Sequence, residues 1–268
     1  MIQAAFKAED GAFNQRRYTI FSPAPTQREV GFRRKVEGAA RPTGAGAVDI
    51  GGYPGYLIAL EGTDGVGRST LIALLREWLE TQGYGVLHTA LTRSRLAGEG
   101  LRKAKLGTTL GQRTLDLYYA TDFADRLEND ILPALRAGFV VLTDRYVYSI
   151  IARSIVRGMD RKWLRDLYRF APTPHGVFYL RVDIPHLIPR VLARGGFDYW
   201  ESGLDFRAEP DLYSSFVPYQ KDLLKIFDQL AKVYRFEVLD ANRNITEIFK
   251  DLTKGVQRIV AAPKGKIA

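Results

Sequence analysis

The stretch Gly62-Thr-Asp-Gly-Val-Gly67-Arg68-Ser69 lies between an apolar run, Tyr56-Leu-Ile-Ala-Leu60, and a segment with helical periodicity, and no other feature limits the fold of this chain so narrowly. An unbroken apolar run of this length suits a strand buried on both faces of a parallel sheet. Residues 69–82 follow, with Leu71, Leu74, Leu75, Trp78 and Leu79 on one helical face and Gly83 as the stop. Glycines between such a strand and such a helix let backbone N–H groups turn inward beside the positive end of the helix, which is how a loop cradles phosphate. Gly62, Thr63, Asp64, Gly65, Val66, Gly67, Arg68, Ser69 and Thr70 are therefore the expected phosphate-loop residues, with the Ser69 hydroxyl on Mg²⁺. Arg68 departs from the usual pattern, which has lysine there. Arginine keeps the charge but presents a planar fork of donors instead of a compact ammonium.

The rest of the chain repeats the alternation. Val86–Leu91, Phe139–Thr143, Val177–Leu180 and Phe236–Leu239 read as further strands, and Leu115–Leu135 as a mainly helical segment closed by Gly138. Strands separated by helices of this length argue a parallel sheet covered on both faces, in one domain over residues 55–260. Residues 1–54 differ in character, with Pro23, Pro25, Pro42 and Pro54 and the glycines at 44, 46, 51 and 52, and read as a flexible arm holding at most one short strand at Tyr18–Phe21. Residues 261–268 form a tail.

Composition excludes several classes. With no cysteine among 268 residues there are neither disulfides nor thiolate metal sites. No apolar run reaches the roughly 18 residues a membrane span requires, and the first residues lack a signal-peptide core, so a cytoplasmic protein without membrane attachment is expected. The net charge of +9 invites a nucleic-acid reading. Its distribution weakens that reading, because residues 1–54 hold eight Lys/Arg against five Asp/Glu and residues 251–268 hold four against one. The remaining surplus is what a site for phosphorylated ligands needs locally.

Two further motifs carry chemistry. Asp144-Arg145-Tyr146 directly follows the strand Phe139–Thr143, and a carboxylate at the C-terminal end of a parallel strand lies where open α/β sheets bind ligands. Asp144 is thus the expected second metal-side residue beside Ser69. Gly195-Gly-Phe-Asp-Tyr-Trp200-Glu-Ser-Gly-Leu-Asp-Phe206 has the glycines and aromatics of a lid, which excludes water where hydrolysis competes with transfer. His88, His175 and His186 are widely spaced and read as structural or surface residues, and Arg157-Gly-Met-Asp160 reads as a plain helix–helix turn.

Glu61-Gly-Thr-Asp-Gly-Val-Gly67, Thr92-Arg93, Leu117-Tyr-Tyr-Ala120, Asp144-Arg-Tyr146 and Glu201-Ser-Gly-Leu-Asp-Phe206 occur in the order found in thymidylate kinases. The chain resembles that family over about residues 56–255. The resemblance implies an α/β P-loop kinase three-layer sandwich with a five-stranded parallel sheet and a lid segment, ATP and Mg²⁺ as cofactors, a homodimer, and phosphorylation of dTMP to dTDP. It implies catalytic roles for Arg68, Asp144, Arg145 and Arg194, with Arg190 also near the lid. Acceptor-binding roles fall to Asp64, Arg93, Tyr119, Phe123, Arg145, Arg153 and Ser154.

The departures concentrate in the acceptor half. The family's Thr-Arg-Glu-Pro is Thr92-Arg93-Ser94-Arg95 here, Phe123 stands where a helix usually offers arginine, Arg153-Ser154 replace a Tyr-Gln pair near the base, and Tyr199 replaces a lid arginine. Phe123 offers a flat face for stacking, and Arg95 or Arg126 would restore the missing charge. Two alternatives stay open: a phosphotransferase of the same fold with another phosphorylated acceptor, and a nucleotide-binding regulator that does not transfer.

Overall fold

The computed structural model describes residues 46–107 and 110–261. The chain alternates β1 (Tyr56–Gly62), α1 (Arg68–Thr81), β2 (Val86–Ala90), α2 (Gly98–Gly107) and α3 (Gln112–Arg126), then a π-helical turn (Leu127–Ile131) and α4 (Leu132–Arg136). It continues through β3 (Val140–Asp144), α5 (Val147–Val156), α6 (Arg161–Leu167), β4 (Gly176–Arg181), α7 (Ile184–Ala193), α8 (Leu212–Val233), β5 (Glu237–Asp240) and α9 (Ile245–Val260). All five strands expected from the sequence are present. They form one sheet in the order β2-β3-β1-β4-β5, and every pairing is parallel.

Alternation along β1 builds the two halves of the core. Leu57 and Ala59 face one side, where they join Phe123, Ile150, Leu223 and Phe227 from α3, α5 and α8. Ile58 and Leu60 face the other, joining Leu71, Leu75, Leu252 and Val256 from α1 and α9. All four β1 side chains are fully buried, which is why the strand is a continuous apolar run. The helix following β1 therefore packs on one face and the helix following β3 on the opposite face. Since β1 and β3 are neighbours, their loops diverge at the C-terminal edge and open a crevice there.

The long helical segment is interrupted. Pro133 has no N–H, and its ring conflicts with a carbonyl one turn earlier, so the turn before it widens into the π-helical Leu127–Ile131. Asp160 caps α6 through the Trp163 amide at 2.7 Å, as a helix–helix turn at 157–160 requires.

The expected boundary at residue 54 is corrected. The first 45 residues of that segment, including Tyr18–Phe21, lie outside the described residues, as does the tail from 262. Within 46–54, however, Ile50 is buried in the core beside α3 and α5, Val48 N–H donates to Phe170 O at 3.3 Å, and the Tyr53 hydroxyl accepts from Arg136 at 3.1 Å. A single apolar residue among glycines carries no periodic signal, yet it fills a gap in the packing. Ile50→Ala should lower stability by about 2–5 kcal/mol, the usual range for emptying a buried isoleucine site. Urea denaturation measures this, and a change below about 0.5 kcal/mol would show that the segment does not belong to the folded body.

Candidate active site

The glycine-rich loop takes the shape its composition predicts. Gly62 has φ +142°, and a Cβ there would lie 2.8 Å from Leu180 O; Gly67, with φ +99°, turns the chain into α1. No side chain caps α1, so its first amides are available to a ligand anion.

Arg68 is 6% exposed and committed to the protein. Its Nε donates to Asp144 Oδ1 at 2.8 Å, and Nη1 donates to the carbonyls of Gly62 and Thr63. A lysine ammonium lacks the planar reach to bridge these three acceptors. Beside it, the Ser69 hydroxyl donates to Asp144 Oδ2 at 3.1 Å. The two residues expected on one metal are thus adjacent, and a hydroxyl with a carboxylate is the hard-oxygen donor set Mg²⁺ takes together with phosphate oxygens and water. Among the described residues no cluster of three or more His, Cys, Asp or Glu suggests another kind of metal site.

Asp64, 2% exposed, is the centre of the charge arrangement. Its Oδ1 pairs with Arg145 Nη2, its Oδ2 accepts from Arg153 Nη2, and Arg68 Nη2 lies 3.8 Å away. Arg145 reaches this carboxylate because its backbone is left-handed, φ +67°, with its N–H donating to Leu60 O at 3.0 Å. Such strain in a non-glycine residue is held only where surrounding contacts demand it. Burial, then the neighbouring Arg153, brings the Arg145 guanidinium down to about 9. Arg194 pairs with Glu201 of the lid, and its Nε lies 3.8 Å from where a Cβ on Gly65 would be. Burial and then the charge of Arg68 lower it as well. Arg190, by contrast, donates to the carbonyl of Arg243 at 3.4 Å.

Glu61 is fully buried at the end of β1. It accepts from the Tyr146 amide at 2.9 Å, the Ser149 amide at 3.3 Å and the Ser149 hydroxyl, and so caps α5, which has no capping side chain of its own. Burial pushes its carboxyl up to about 7 against those donors.

A cleft beside the loop is lined by three of the expected acceptor residues, Tyr119, Arg153 and Ser154. The sequence reading missed the groups around them. Asp116 and Gln112 line the same cleft, and so does Trp200 of the lid, whose indole N–H donates to Lys105 O at 3.2 Å. Arg157, the first residue of the helix–helix turn, grips Asp205 through two bonds of 2.8 and 2.9 Å and reaches Trp200 O at 3.2 Å. Its position four residues after Arg153, at the C-cap of the same helix, was the available signal.

Phe123 is a correction. It is fully buried against Tyr146, Tyr168 and Phe170, with ring centroids 5.1, 6.5 and 5.7 Å away, and offers no face to a base. Arg126 is 1% exposed and bound to Asp122 at 3.0 Å, so it does not restore a phosphate-binding charge. Asp122 instead accepts from the amides of Thr92 and Ser94 at 3.1 and 3.0 Å. These two bonds bracket Arg93, which is exposed and has no carboxylate partner among the described residues. Arg95 is exposed as well.

Comparison with known proteins bears on the same residues. The family profile described as "Thymidylate kinase" matches residues 60–252. "Probable thymidylate kinase 2" of Saccharolobus solfataricus is 38% identical over 202 residues, covering 75% of this chain and 94% of that protein. "Probable thymidylate kinase" of Pyrococcus abyssi is 30% identical, covering 74% and 94%. The protein of the same description from Thermococcus gammatolerans is 30% identical, covering 76% and 97%.

The buried Glu61 makes stability depend on pH. Its folded-state value of about 7 lies above the ordinary 4.5, so the folded protein holds a proton that the unfolded chain releases between those values. The favourable contribution is complete below about pH 4.5 and is lost as pH rises through about 7, a change of about 3 kcal/mol. Urea denaturation of the unaltered protein and Glu61→Gln between pH 5 and 8 should show this component only in the former. Equal slopes would refute it.

Proposed function

The chain belongs to the thymidylate kinase family, and on that footing we propose that it moves the γ-phosphoryl group of ATP onto the phosphate of dTMP, giving dTDP and ADP. The observation that carries this reading is the meeting of a glycine loop, a Ser69–Asp144 oxygen pair and the guanidinium groups of Arg68, Arg145, Arg153 and Arg194 around one crevice. Phosphoryl transfer asks little covalent chemistry of a protein; it asks for in-line positioning and for positive charge where the transferring oxygens carry negative charge.

An oxygen of the acceptor phosphate forms the new bond to the γ-phosphorus as the bond to the β-bridging oxygen breaks. That oxygen is already deprotonated at neutral pH, so no general base is required. The loop amides and α1 hold the donor phosphates. Ser69 and Asp144 would hold Mg²⁺, which when bound neutralises charge on the β- and γ-phosphates. Arg145, Arg153 and Arg194 stabilise the charge on the transferring group, and Asp64 fixes the first two in orientation. Arg93, whose loop Asp122 braces, is available to the acceptor phosphate.

The commitment of every Arg68 nitrogen to Gly62, Thr63, Asp64 or Asp144 favours one second reading, a nucleotide binder that does not transfer. A homodimer is part of the proposal. Leu96, Leu106, Leu117 and Tyr118, on α2, on α3 and just before them, are 75%, 88%, 47% and 38% exposed, as an interface between copies requires. No described helix is long and apolar enough to cross a membrane, which accords with the proposed cytoplasmic location.

An ATP-consumption assay over dTMP, dUMP, dCMP and the purine monophosphates tests the reaction. Turnover should be best with dTMP, and ATP binding without consumption for any acceptor would leave the non-transferring reading. Arg68→Ala should lower kcat/KM roughly 10²-fold or more, because it releases Asp144, Asp64 and the loop carbonyls that Arg68 holds in place. Normal turnover would remove Arg68 from the machinery. Sedimentation at micromolar concentration should give the mass of two chains, and Leu106→Glu with Leu117→Glu should give one.

A further inference from the structure

Asp116 is the polar group in the acceptor cleft with an unmet need. It is fully buried on α3, and its Oδ1 accepts from Gln112 Nε2 at 2.8 Å and from the Ser154 hydroxyl at 2.6 Å. Its Oδ2 is buried and has no partner. Buried carboxylate oxygens are seldom left so, because each has lone pairs that water would otherwise satisfy. Burial raises the Asp116 carboxyl above the ordinary range, while the Ser154 and Gln112 bonds oppose that rise. The side chain lines the cleft with Leu115, Tyr119 and Ile150, which give it apolar walls, and with Arg153, which links the cleft to the phosphate loop through Asp64. A ring held against those walls, with its phosphate toward the loop, meets in Oδ2 a carboxylate oxygen that no protein donor satisfies.

Resting on the proposed reaction, we infer that Asp116 is a specificity-determining residue whose Oδ2 accepts the N3–H of a 4-keto pyrimidine. Thymine and uracil present acceptor, donor, acceptor along that edge, through O4, N3–H and O2, and the central N–H complements an unpartnered carboxylate oxygen. Cytosine presents a bare N3, so two lone pairs would face each other, and a site built around a hydrogen bond rejects a ligand that leaves its buried partner unpaired. Asp116 thus supplies a base contact that Phe123, withdrawn into the core, does not.

The test is steady-state kcat/KM at fixed ATP for dTMP, dCMP and 3-deaza-dTMP, in which C–H replaces N3–H without added bulk and the 4-keto oxygen becomes a hydroxyl. The unaltered enzyme should prefer dTMP to both by roughly 10²-fold or more. Asp116→Asn keeps one oxygen for Ser154 and Gln112 and turns the lone acceptor into an N–H donor. It should shrink the dTMP-over-dCMP ratio by a similar factor or invert it, with ATP binding and melting temperature reporting that the fold is intact. If the variant does not fold, the comparison of dTMP with its 3-deaza analogue on the unaltered enzyme decides, and equal use of the two overturns the inference. Turnover of dTMP with an unchanged ratio in the variant overturns this inference alone. No turnover of dTMP by the unaltered enzyme overturns the proposed reaction and this inference with it.

Discussion

Asp64 carries the single negative charge on which Arg68, Arg145 and Arg153 converge, at 2% exposure and within the turn of the phosphate loop. Three guanidinium groups drawn into one crevice repel each other and lose hydration; a shared carboxylate offsets both effects and fixes their directions. Buried ion pairs of this kind contribute little net stability, because desolvation consumes most of the attraction. What the arrangement secures is geometry. The loop, the end of β3 and the middle of α5 are tied at one point, and the crevice keeps a surplus of positive charge facing the space proposed for the phosphates. Glu61 does comparable work one residue before the loop, joining the end of β1 to the start of α5.

How much of this was legible depended on how locally each feature is encoded. Strands and the phosphate loop were readable because burial on both faces enforces unbroken apolar runs and because positive φ demands glycine. The left-handed Arg145 shows the limit of that logic, since a strained arginine leaves no compositional trace. Phe123 was misread for a different reason. On α3 buried residues occur on more than one side, and Asp122 and Arg126 are buried as well, so periodicity does not say which side meets a ligand. Asp122 and Arg126 pair with each other one turn apart, but the remaining partners come from elsewhere in the chain: Thr89, Thr92 and Ser94 for that pair, Asp205 for Arg157. Such pairings are tertiary facts, visible only once the sheet has brought distant loops to one edge.

The lid shows how a loop can be both irregular and built in. Ser202 O accepts from the Ser215 hydroxyl, Glu201 O accepts from Gln220, and Gly203 packs so closely on Tyr219 that a Cβ would lie 2.8 Å from its ring. Its second half is therefore fastened to α8. Arg157 fastens it again from α5 through Asp205, so the segment rests on two helices of the same core layer.

Consecutive lid residues serve different neighbours. Trp200 lines the cleft beside Asp116 and Arg153, whereas Glu201 holds Arg194 against the phosphate loop. A single turn of chain cannot lift away from one of these without loosening its hold on the other. In the proposed reaction both substrates would meet this segment, and occupancy of the two sites would then be one linked equilibrium rather than two separate ones. Whatever factor the first nucleotide imposes on the affinity of the second, the second must return to the first.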